Sequence, residues 1–60
     1  MASNPDLLTA ARKQLAAARR SHAMDDQEAA GLWLLAWMTQ DGIDRDDLVD
    51  ILKDEGIWGP

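Results

Sequence analysis

Residues 31–38 read GLWLLAWM, a run with two tryptophans and no charge in a chain of 60 residues. A helical segment that is apolar on every side normally lies at the centre of something larger than itself. Here little surrounds it, because 60 residues make one small domain near the lower limit at which a chain without staples folds alone. The absence of cysteine removes disulfides, thiolate metal sites and thiol catalysis together. The constraint is therefore one of coverage: two short flanking segments must wrap a helix that has no polar side.

The spacing predicts an all-α three-helix bundle with helices over about residues 5–21, 26–41 and 45–55 and a short Trp-containing tail. Ser3 or Asn4 can cap the first helix, Pro5 suits its first position, and Asp6 favours the positive end of the dipole. Leu7, Leu8, Ala11, Leu15, Ala18 and His22 share one arc of that helix, and Arg12, Lys13, Arg19 and Arg20 lie opposite. Asp25 and Glu28 have the spacing of a capping box for the second helix. Its stop is expected at Asp41-Gly42, with Ile43 folding back on the last turn. In the third helix Asp44 is the expected N-cap, Ile43 can staple onto Leu48, and Leu48, Val49, Ile51 and Leu52 form the buried face. Gly56 and Ile57 repeat the stop signal, after which Trp58 either folds back as a lid or projects. No strand signal and no internal repeat interrupt this pattern.

On a helical wheel, Leu32, Ala36, Ala29, Trp33 and Trp37 fill one broad side of the second helix, while Leu34, Leu35 and Met38 fill much of the other. In a three-helix bundle each helix meets two neighbours, so part of this circumference is left facing water. Leaving one large apolar side chain exposed forfeits roughly 1.5–3 kcal/mol, and two or three together make a patch of a few hundred Å², the size that marks an interface. Trp33, Leu34, Leu35, Trp37, Met38 and Trp58 are the candidate protein-binding residues, with self-association as a symmetric dimer the simplest use of them. For the stacked Trp33 and Trp37, packing into the core is the plainer reading and an aromatic anchor for a partner the functional alternative.

Charge sets the remaining expectations. The net charge is -5 and the pI about 4.4, which disfavours nucleic acid and anionic membrane surfaces as partners. The first 24 residues carry +3 and the remainder -8, an asymmetry that the first and last helices could satisfy between themselves. Asp46, Asp50 and Asp54, joined by Asp47, form an acidic stripe on the third helix: a solvated face, or a docking surface for a basic partner. Positions 44–55 have the length of a calcium loop, but Leu48 and Val49 stand where a ligand and a glycine are required. The stretch MTQDGIDRDDLVDIL has the outline of a helix-turn-helix, yet its second helix opens Asp44-Arg45-Asp46-Asp47, a start that DNA repels.

Nothing supports catalysis, a metal or a cofactor: His22 is the single histidine and lacks nucleophilic company. The start MASNPDLL lacks the basic and apolar regions of a secretory signal, and the apolar run 29–38 is about half of what a bilayer needs. A cytoplasmic protein is expected, complete from its initiating Met1, and the lean toward Ala, Asp and Arg hints at a GC-rich prokaryotic or phage origin. The leading expectation is a non-catalytic protein-interaction module working through the second helix. An acidic inhibitor or nucleic-acid mimic using the third helix is the alternative, and a helix-turn-helix-like regulator the third.

Overall fold

The computed structural model describes residues 3–21 and 23–58. It has three helices, α1 (Pro5–Ser21), α2 (Asp26–Met38) and α3 (Arg45–Asp54), packed on one another, with no strand among the described residues. The all-α three-helix arrangement is thus as the spacing predicts. His22 and the last two positions of the tail lie outside the described residues. No helix is long and apolar enough to cross a membrane among the described residues.

The starts of α1 and α2 and the end of α3 follow from their capping residues. Asn4 caps α1: its Oδ1 accepts the Asp6 amide at 2.9 Å, and its carbonyl accepts that of Leu8 at 3.1 Å. Asp25 caps α2 by accepting the Glu28 amide at 2.9 Å. At the end of α3, the Ile57 amide reaches the Leu52 carbonyl at 3.1 Å and the Gly56 amide reaches Lys53 at 3.0 Å. With Gly56 at φ 76° this is a complete Schellman stop, and it turns Ile57 into the core.

One boundary expectation needs correction. The second helix ends at Met38, not 41; the Gln40 amide closes on the Trp37 carbonyl at 3.1 Å and the Thr39 hydroxyl on that of Ala36 at 2.9 Å. Thr39, Gln40 and Asp41 are all exposed and bring no apolar side chain to hold another turn against the core. Gly42, at φ 87°, therefore belongs to the connecting turn, where its carbonyl accepts the Asn4 amide at 2.7 Å. Ile43 is buried as expected.

The start of α3, at Arg45 behind Asp44, stands where the spacing predicts. Asp44 sits at the N-cap with extended backbone but makes no cap bond through its own side chain. The N-cap residue is held from far away: the buried Ser3 hydroxyl accepts the Asp44 amide at 2.7 Å and donates to Asp47 Oδ2 at 2.5 Å. Ser3 thus serves α3, not α1, and the strand of chain ahead of α1 is tied to the α2–α3 turn.

The core is built from Ala11 and Leu15 of α1, Ala30, Trp33 and Trp37 of α2, and Leu48, Ile51 and Leu52 of α3, closed by Ile43 and Ile57. Two glycines predict opposite responses to the same substitution. A methyl at Gly31, inside α2, meets nothing within 4 Å, so Gly31→Ala is expected to raise stability by about 0.5–1 kcal/mol. At Gly42 the methyl would stand 3.2 Å from Leu7 Cδ1 on a left-handed backbone, so Gly42→Ala is expected to lose about 1–2 kcal/mol. Urea denaturation of both variants beside the parent checks the two signs.

Candidate protein-interaction surface

The rotation of α2 about its axis decides which of its apolar residues meet water, and the two tryptophans fix that rotation. The Trp33 indole Nε1 donates to the Ala11 carbonyl at 2.8 Å, in a fully buried bond between α1 and α2. Trp37 Nε1 donates to Gln14 Oε1 at 3.2 Å, one turn further along. A buried indole must find an acceptor, and both find one on α1. Ala29 and Ala30, both buried, keep the neighbouring contacts short.

With that side inward, the opposite side is bare. Leu32 is 58% exposed, Leu35 63% and Met38 44%, and Met24, just ahead of α2, is 38% exposed. Ala36 is also exposed and Gly31 half-buried, so the solvent side of α2 is apolar almost throughout. Scattered exposed leucines are ordinary on a protein surface, but a contiguous row is not. Beside this row, between α1 and α2, runs an open groove of about 250 Å³ lined by Gln14, Ala18, Met24, Ala29, Leu32 and Trp33.

The expected binding residues therefore divide. Leu35 and Met38 lie on the exposed side, and Leu34 is half-buried against the core. Trp33 and Trp37 are 5% and 8% exposed and belong to the core, so their place among the binding residues is corrected. Trp58 folds back: its amide reaches the Leu52 carbonyl at 3.3 Å and its side chain packs on the core, half-buried. Leu32 and Met24 were not among the expected residues. The signal for Leu32 was its place at the edge of the arc occupied by Ala29 and Trp33; Met24, outside any helix, offered none.

The acidic face is smaller than its sequence. Asp47 is engaged by Ser3, and Asp54 pairs with Arg12 at 3.3 Å. Asp46 and Asp50 are exposed on α3. Arg19 of α1 pairs with Asp26 at 3.3 Å and with Glu55 at 3.5 Å, and its Nη1 also donates to the Glu55 carbonyl at 3.3 Å. One guanidinium thus links α1 to the start of α2 and the end of α3, and part of the charge asymmetry is satisfied inside the molecule. No group of His, Asp or Glu side chains that could hold a metal ion occurs among the described residues.

The division between core and surface makes a prediction that stability measurements can check. Trp33→Phe keeps one aromatic ring but removes the fused pyrrole and the N–H that binds Ala11, leaving a small cavity and an unmatched carbonyl, and is expected to lower stability by about 2–3 kcal/mol. Leu35→Glu, at the most exposed of the four large apolar positions, is expected to change it by less than about 0.5 kcal/mol. No protein-family model matches this chain, and no curated protein or solved structure does, so its function is read from the geometry of this surface.

Proposed function

We propose that this chain is a small non-catalytic protein-interaction module that binds through the solvent side of α2. One observation carries the reading: Leu32, Leu35 and Met38 form a contiguous exposed apolar row in a protein that has very little core to spare. A lone folded chain gains nothing from that row, since polar residues there would serve its solubility better. Burial against another protein surface recovers the free energy that exposure forfeits, roughly 1.5–3 kcal/mol for each fully covered side chain. The exposed acids of α3, Asp46 and Asp50, border the molecule elsewhere and act in orienting a partner and repelling wrong ones. The acidic-decoy alternative has less support, because Asp47 and Asp54 are already engaged by Ser3 and Arg12.

The test compares the parent chain with the double variant Leu35→Glu, Met38→Glu. The parent is expected to hold a protein in stoichiometric complex, whether another copy of itself or a different chain, and the variant to lose it. Circular dichroism should show unchanged helix content in both. Equal binding by parent and variant would remove the α2 face from the proposal, and loss of binding on neutralising Asp46 and Asp50 instead would favour the decoy.

A further inference from the structure

We infer that the occupant of this face is an amphipathic helix of a partner protein, with lysine or arginine flanking its apolar stripe. This rests on the interaction reading above and names the chemistry of the partner. The surface itself narrows what can bind. Addition of a strand needs an open sheet edge, and there is no strand among the described residues. A proline-rich segment needs exposed aromatic rings, whereas Trp33 and Trp37 are buried. A phosphorylated motif needs a cluster of free arginines, and Arg12 and Arg19 already pair with Asp54, Asp26 and Glu55. What α2 offers is side chains alone, and a helix meets a helix through side chains.

The row has the pitch of a helix contact. Leu32, Leu35 and Met38 follow one another at three-residue steps, a ridge that packs against another helix at about 20°, the crossing found in helical bundles. Where Leu32 borders the groove toward α1, Ala18 and Ala29 form part of the lining and leave room for a bulky apolar side chain. From residue 28 to residue 38 the face runs about 16 Å, three turns of a partner helix. A helix laid there becomes a fourth member of the bundle and gives α2 the neighbour that its bare side lacks.

Charge decides what flanks the partner's stripe. From Met24 to Asp44 every charged residue is acidic: Asp25, Asp26, Glu28, Asp41 and Asp44. Glu28 stands four positions before Leu32 and seven before Leu35, so it shares their side of α2. It is exposed and has no ion pair among the described residues. Asp25, also exposed, adjoins Met24, and Asp41 is exposed beyond the other end of the helix. On the α1 side the groove is lined by Gln14 and Ala18, while Arg12 and Arg19 are held by acids of the other two helices. A second α2, or any helix with acidic flanks, would set acid against acid here. Basic flanks meet Glu28 and Asp25 while the apolar stripe covers Leu32 and Leu35.

Two synthetic peptides of about 15 residues, long enough to form a helix, test this on the full chain. Both carry the same leucine stripe; one has lysine at the flanking positions and the other glutamate. By fluorescence anisotropy at low salt, the parent should bind the lysine peptide with a Kd on the order of 10–100 µM, and the glutamate peptide at least tenfold more weakly. Leu35→Glu should abolish binding although it adds a negative charge, the reverse of what unspecific attraction would do. Glu28→Gln should weaken binding about two- to fivefold, and Asp46→Asn on α3 should leave it unchanged. Equal binding of the two peptides, or tighter binding by Leu35→Glu, would overturn the basic-flanked helix. If neither peptide binds but the parent still holds a protein that Leu35→Glu, Met38→Glu loses, the helical occupant is rejected and the interaction reading stands. A parent that binds neither peptide and holds no protein loses both. Self-association in sedimentation, or binding to zwitterionic vesicles, in place of the lysine peptide would make a second copy or a lipid surface the occupant instead.

Discussion

The bond from the Trp33 indole to the Ala11 carbonyl organises this molecule more than any other contact. A helix that is apolar all round has no preferred rotation, since every side is equally content in a core. What breaks the tie is polar: an indole N–H can be buried only where an acceptor waits. Ala11, with no side chain beyond Cβ and no exposure, lets the large ring reach a main-chain oxygen of α1. Trp37 and Gln14 repeat the arrangement a turn later, and the rotation of α2 is set. The exposed row of Leu32, Leu35 and Met38 is the geometric consequence, so the proposed binding face is determined by hydrogen bonds on the far side of the same helix.

A chain this small also relies on its ends. Residues 3 and 4 reach the α2–α3 turn through the Ser3 hydroxyl and the Asn4 amide, which binds the Gly42 carbonyl. At the other end, Gln27 Nε2 donates to the Ile57 carbonyl at 2.7 Å and ties the tail to the first turn of α2. Arg19 joins all three helices from the same region. These ties shorten the loops the folded state must order and close the core on two sides, a role that disulfides fill in many domains of this size.

The sequence was legible where a residue acts on its neighbours. The Asp25 cap, the Gly56-Ile57 stop and the buried stripe of α3 each depend on positions within a turn or two, and each stands as the spacing predicts, save that Val49 is only half-buried beside Leu48, Ile51 and Leu52. Helices with one apolar stripe declare their orientation, as α1 and α3 do. It was illegible where the partner is distant. Ser3 acts on Asp44 and Asp47, more than forty positions away, and looks from its own neighbourhood like a cap for α1. The allocation of Trp33 to the core and Leu32 to the surface depends on an acceptor 22 positions earlier, which no periodicity within α2 can reveal. That some apolar circumference would be left uncovered followed from counting; which residues would form it did not.

The uncovered row also sits where the least stability is at stake. Leu32, Leu35 and Met38 make no contribution to the core cluster, so the fold does not require them to be apolar. Equally, the fold gives them no shelter, and in isolation they are a liability toward aggregation. Charge limits that liability: a net -5 and acidic residues at both ends of α2 keep identical molecules from associating in arbitrary orientations. Attraction confined to one narrow face, with repulsion around it, is how a surface this small restricts the poses open to a partner. Under the proposed reading, the acidity of the chain and its apolar middle are complementary parts of one device, the first restricting what the second is allowed to meet.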